Sequence, residues 1–102
     1  MTDFDYQQID DLIHSRIRLS IIALLASCEE ASFVFIRKKT GATDGNLSVQ
    51  LRKLEEASLI TVKKEFIKRK PVSTYSITEK GRNAFQEYVK RIESLLQFGE
   101  LS

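Results

Sequence analysis

Side chains suited to hydrogen bonding and ion pairing gather in two stretches of this sequence, TDGNLSVQLRKLEE and VKKEFIKRKP. The first carries an amide at Asn46 and cations at Arg52 and Lys53; the second ends in the unbroken basic run Lys68, Arg69 and Lys70. An Asn amide can pair bidentately with adenine, and Arg or Lys can donate to guanine O6 and N7 or to phosphates. Lys63 and Lys64 could likewise neutralise phosphate, although near the packed base of a hairpin they serve equally well to keep a strand edge from pairing with other chains. Catalytic chemistry finds little material. Cys28 and His14 are the only residues of their kinds, which excludes an intrachain disulfide and leaves too few soft ligands for a structural zinc or a Cys/His catalytic pair. Glu55 and Glu56 close a helix rather than line a cleft, and no glycine-rich phosphate loop or activated nucleophile is present. A non-enzyme without metal or cofactor is expected. Cys28, followed by Glu29 and Glu30, reads as a structural thiol rather than a reactive one, and His14 as a surface or dimer-contact residue.

The distribution of charge agrees with a polyanionic partner. The formal net charge is only +2, but residues 37–82 hold twelve bases against five acids, while residues 1–36 and 83–102 are net acidic. A basic middle between acidic ends is the footprint of a protein that turns one face to a polyanion, the plain alternative being a solvated surface. Length and composition suit one globular domain, with 102 residues, 42% hydrophobic and 29% charged. The longest apolar run, Ile21 to Ala26, is far short of a membrane span, and the acidic start MTDFDYQQIDD lacks the basic region of a signal peptide. A cytoplasmic location without membrane contact is expected.

The elements that must hold these side chains follow from periodicity and capping. Ile9, Leu12, Ile13, Ile17, Ile21, Leu24 and Leu25 recur at helical spacing, which predicts a long first helix from Ile9 to Ser27. Ser32 as a cap and Gly41 as a terminator bound a short second helix, with Phe33, Val34 and Phe35 compatible with a strand start. Thr43 caps a third, whose Leu47, Leu51 and Leu54 form an apolar stripe, leaving Asn46, Val49, Arg52, Lys53 and Glu56 outward with Ser48 and Gln50 on the flanks. Two helices joined by so short a turn cross at a large angle, a helix-turn-helix. From Ser58 to Thr78 β-branched and aromatic residues alternate with lysines about the tip Lys68-Arg69-Lys70-Pro71, predicting a hairpin with a bulge or loosened outer half near Lys64 to Ile67. Thr78 caps a last helix carrying Phe85, Tyr88, Val89, Ile92, Leu95 and Leu96.

In that order of elements the sequence resembles the single-domain winged-helix transcriptional regulators related to the multiple-antibiotic-resistance regulator (MarR-like) and arsenical-resistance repressor (ArsR-like) groups. SRIRLSIIALLA looks like their first-helix core, TDGNLSVQLRKLEEASLI like their recognition helix, and KRKPVSTYSITEKGRNAF like their wing and the start of the following helix. The resemblance spans roughly residues 12–90. It implies a mainly α fold with a small β-hairpin (α-α-α-β-β-α), a winged helix-turn-helix with an extended C-terminal dimerisation helix. The whole chain, 1–102, is then one domain with its core at about 9–82. It further implies a homodimer that binds double-stranded promoter or operator DNA, and repression by occupancy. Carried over by position, the groove is met by Thr43, Asn46, Ser48, Val49, Gln50, Arg52 and Lys53, and the flanking backbone or minor groove by Lys68, Arg69 and Lys70. Gln50 and the glycine-free wing tip depart from the familiar pattern, and the clustered cysteines or histidines of metal-sensing relatives are missing.

A stripe from Phe85 through Tyr88, Val89 and Ile92 to Leu95 and Leu96 outruns the core of so small a domain and predicts dimerisation, with Phe4, Tyr6 and Ile9 as contributors; folding back on its own core is the alternative. Two other functions fit the same residues. One is a winged-helix module that docks an acidic protein surface. The other is a regulator gated by a small apolar effector lodged between the core and the last helix, near Phe4, Tyr6, Phe85 and Tyr88.

Overall fold

The computed structural model describes residues 12–101, the side chains of 98–101 excepted. Helix α1 spans Arg16–Ala26, strand β1 Ala31–Ser32, α2 Phe33–Thr40, α3 Asp44–Glu56, β2 Ile60–Ile67, β3 Lys70–Ile77 and α4 Glu79–Leu101. The single long first helix expected from Ile9 to Ser27 is interrupted: Ser15 is extended (φ −61°, ψ 132°) and its hydroxyl caps a fresh start by accepting from the Arg18 amide at 3.5 Å. The apolar spacing runs through this break because Ile13, on its far side, is buried in the same core as Ile21, Ile22 and Leu25. Phe4, Tyr6 and Ile9 lie outside the described residues.

Helices α2 and α3 follow their sequence signals. The Ser32 hydroxyl accepts from the Phe35 amide at 3.1 Å, Gly41 ends α2 in the left-handed region (φ 73°), and Thr43 caps α3 by accepting from the Asn46 amide at 3.2 Å. Ile36 anchors α2 in the core, and Leu47, Leu51 and Leu54 anchor α3. The end of α3 carries a double lock. Ser58 takes the left-handed conformation (φ 64°), its amide bonds the Glu55 carbonyl at 2.9 Å, and the Leu59 amide bonds the Leu54 carbonyl at 3.0 Å. That pair of bonds is a Schellman closure, completed by the burial of both Leu54 and Leu59.

The hairpin is joined by a third, two-residue strand that the sequence reading did not contain, giving an antiparallel sheet of order β1-β3-β2. Ala31 pairs with Tyr75 and Ser32 with Thr74, so the residue that caps α2 also closes the sheet. The β2–β3 register runs without a break from Ile60 opposite Ile77 to Ile67 opposite Lys70, so the bulge expected near Lys64 to Ile67 is absent. The turn is also tighter than the four-residue tip expected. Only Lys68 and Arg69 lie between the strands, both left-handed (φ 53° and 66°), as a two-residue hairpin of type I′ requires. Beyond Val62 the β2 strand has no core behind it, and Lys63 to Ile67 are exposed.

The Thr78 hydroxyl organises the start of α4, accepting from the Gly81 amide at 2.9 Å and donating to the Ser58 carbonyl at 2.7 Å. Two cations of the same turn satisfy helix C-termini elsewhere: Lys80 donates to the Ala57 carbonyl at 3.0 Å and Arg82 to the Ala26 carbonyl at 3.2 Å. Ala84 is buried and Phe85 and Tyr88 pack on the core, but exposure grows along the helix to about two-thirds at Leu95 and Leu96. Among the described residues no helix is long and apolar enough to cross a membrane.

Candidate nucleic-acid interface

With three leucines turned inward, α3 presents Asn46, Ser48, Val49, Arg52 and Lys53 to solvent. Val49 is half exposed, an apolar side chain among polar ones of the kind that meets a thymine methyl. Thr43 holds the first turn of α3 through its cap, so its hydroxyl acts on the helix from within the structure. Gln50 is half-buried rather than free: the Arg18 guanidinium donates to its Oε1, and its Nε2 donates to Asn46 Oδ1 at 2.9 Å. Arg18 also donates through Nε to the Leu12 carbonyl, so the guanidinium is held from two sides. Sequence reasoning passed over Arg18, because no local spacing links it to a helix 32 residues on. The start of α3 is further tied to α2 by an ion pair of Arg37 with Asp44 at 2.9 Å.

A cleft of about 250 Å³ separates α3 from the sheet. Ser48, Arg52 and Glu55 line it from α3 and Val62, Lys64, Ser73 and Tyr75 from the strands. Lys64 therefore shares a space with Arg52, whereas Lys63, by strand alternation, points to the opposite face of an edge strand. Burial pushes the Tyr75 phenol above its ordinary value of 10.0, the Glu55 carboxylate adds to the rise, and a hydrogen bond with Ser73 opposes it. At the wing end Lys68, Arg69 and Lys70 are all exposed. Beside them Phe66 stands 78% exposed, paired across the strands with Pro71; it too was passed over in the sequence.

The residues expected at a dimer contact gather on one side of α4. Phe85, Tyr88, Val89 and Ile92 combine with Leu19 and Ala23 of α1 around an almost wholly apolar groove of about 310 Å³, while Leu95 and Leu96 continue the stripe outward. His14 lies nearby, exposed, with Nδ1 3.0 Å from the Tyr88 hydroxyl. Cys28 is half-buried, its thiol donating to the Leu24 carbonyl at 3.2 Å, a packed setting in keeping with a structural role.

A capped helix with its apolar face buried, preceded by a helix across a three-residue turn and followed by a projecting hairpin, defines a winged-helix protein. The chain belongs to the winged helix DNA-binding domain family, whose model matches residues 17–96. It is 39% identical over 84 residues to an uncharacterised protein of Methanocaldococcus jannaschii, covering 82% of this chain and 91% of that one. Its structure is similar to that of a transcriptional regulator homologue from Pyrococcus horikoshii OT3, with a TM-score of 0.80 at 25% identity over 85% of this chain and 86% of the other. The fold is also that of diamide-treated YodB from B. subtilis, with a TM-score of 0.79 at 19% identity and 90% of each chain covered. These neighbours agree with the resemblance of the sequence to winged-helix transcriptional regulators.

Proposed function

We propose that this protein is a homodimeric regulator that binds a specific duplex DNA sequence and represses by occupying it. The observation that carries the reading is the outer face of α3, where Asn46, Ser48, Val49, Arg52 and Lys53 stand exposed on a helix fixed at both ends. In this reading α3 enters the major groove, with Asn46, Arg52 and Lys53 at base edges or phosphates and Ser48 and Val49 filling the contact. Lys68, Arg69 and Lys70 on the wing neutralise backbone charge, which orients the domain without reading sequence. The apolar stripe of α4 joins two copies, so that two recognition helices meet two half-sites at fixed spacing. Repression rests on the family resemblance.

Random-sequence selection followed by fluorescence anisotropy across a salt series tests this. A defined, two-fold repeated motif bound at least about a thousandfold tighter than scrambled duplex supports the reading. Absence of binding even at low salt overturns it in favour of a docking module. The groove between α1 and α4 favours one further reading, since its size and apolar walls also suit a small apolar effector. A thermal-shift screen at fixed protein concentration checks it, because a ligand that binds only the folded state raises Tm.

A further inference from the structure

The Arg18–Gln50–Asn46 chain constrains more than the position of three side chains. Oxygen and nitrogen of an amide have nearly the same shape, and hydrogen bonding decides which is which. Here the decision starts from Arg18, whose guanidinium can only donate. The Gln50 atom that meets it must be the carbonyl oxygen Oε1, so Nε2 is the atom turned toward Asn46. An NH2 group can only donate, so the Asn46 atom 2.9 Å away must be Oδ1. The remaining polar atom of Asn46, its Nδ2 amide, is then turned away from Gln50, on an exposed side chain in the first turn of α3.

We infer that Arg18, acting through Gln50, orients Asn46 so that it offers a hydrogen-bond donor and not a donor–acceptor pair to the base it meets, which selects against cytosine and forfeits the bidentate preference for adenine. The inference rests on the DNA-binding reading and deepens it. In the major groove guanine presents the acceptors N7 and O6 and thymine the acceptor O4, whereas cytosine presents the N4 donor and adenine the N6 donor beside N7. An unrestrained Asn adapts its amide to adenine with both atoms. An Asn whose oxygen is engaged along the helix does so poorly. Arg18 and Gln50 are thus positioning residues: Arg18 is half-buried on α1 and is held by the Leu12 carbonyl.

Replacing Gln50 with Glu reverses the logic while preserving shape. A carboxylate still accepts from Arg18 but has no proton to give Asn46, whose amide must turn to donate Nδ2 to it and present Oδ1 outward. Random-sequence selection on wild type, Asn46→Ala, Gln50→Glu and Arg18→Met tests the inference. Asn46→Ala locates the base pair concerned, where wild type disfavours cytosine on the contacted strand by roughly tenfold or more and shows no preference for adenine over guanine. Gln50→Glu is expected to move the preference at that one pair to adenine or cytosine, and Arg18→Met to flatten it, with unchanged preferences elsewhere. Because the Arg18 guanidinium is engaged by the Leu12 carbonyl and Gln50 in this arrangement, the salt slope of Arg18→Met is expected to stay that of wild type. A shallower slope, or unchanged preference in Gln50→Glu at wild-type Tm, overturns the inference while leaving DNA binding intact. Wild type selecting no motif overturns both. Circular dichroism melting of each variant separates a change of preference from loss of fold.

Discussion

At Gly81 the first turn of α4 runs so close to the strand entry that a Cβ would lie 2.1 Å from the Leu59 carbonyl oxygen and 2.9 Å from Ile77 Cγ1. The contact is with backbone, which cannot swing aside, and the same carbonyl accepts from the Thr78 amide at 3.0 Å. Gly81→Ala is expected to destabilise by about 3 kcal/mol, the upper range for overpacking, measured by urea denaturation; a loss under about 0.5 kcal/mol would show that helix and strand can part there. Tyr75 gives a pH signature. Its phenol is raised in the folded state, so above pH 10.0 the unfolded chain releases a proton that the native protein retains. Stability is therefore intact below that pH and falls as pH rises past it. Tyr75→Phe should flatten the alkaline limb of a stability–pH curve, and an identical limb would contradict the assignment. At this scale the sequence was legible for types but not for partners. Asn46, Arg52 and Lys53 stand outward as their spacing implies, yet Arg18 reaching Gln50 and Gly81 abutting Leu59 depend on chain crossings that local pattern does not encode.

Helix ends were the most readable elements. Ser32, Gly41, Thr43 and Thr78 each perform the capping or terminating role that their chemistry suggests, because a cap is settled within four residues. Thr43→Ala should lower stability by about 1 kcal/mol in denaturant titration and fray the turn that carries Asn46. Ser58 escaped notice since its left-handed position is usually given to glycine; Ser58→Gly is expected to raise stability by about 1 kcal/mol, provided the Schellman bonds persist, and a lower Tm would count against that closure. The break at Ser15 was hidden by Ile13, Ile17 and Ile21, which keep helical spacing on both sides of it. Two-residue β1 is too short to announce itself, and the outer wing lacks an alternating pattern because neither of its faces is buried, although its ladder is regular.

The radius of gyration, 15.1 Å, exceeds the roughly 13 Å of a compact 100-residue domain, in keeping with a 23-residue α4 whose later turns leave the core. If that helix joins two copies, Ile92→Glu together with Leu95→Glu should yield monomers by sedimentation velocity and weaken specific DNA binding by more than about a hundredfold, while the fold, whose buried core does not include either residue, keeps its Tm within a few degrees. Dimers of undiminished stability would place the contact elsewhere. The basic wing closes the whole-molecule picture through an opposition between two kinds of fitness. A hairpin turn with two left-handed residues is best served by Asn-Gly, yet Lys68 and Arg69 occupy it. Lys68→Asn with Arg69→Gly should relax the backbone and raise the melting point, and at the same time weaken the hold on DNA, its salt slope falling by about 0.9 for each phosphate contact removed. Selection for thermal endurance alone would carry these positions away from lysine and arginine, so under the proposed role of the wing a lineage that keeps them is being chosen for what the wing grips and not for how well it folds.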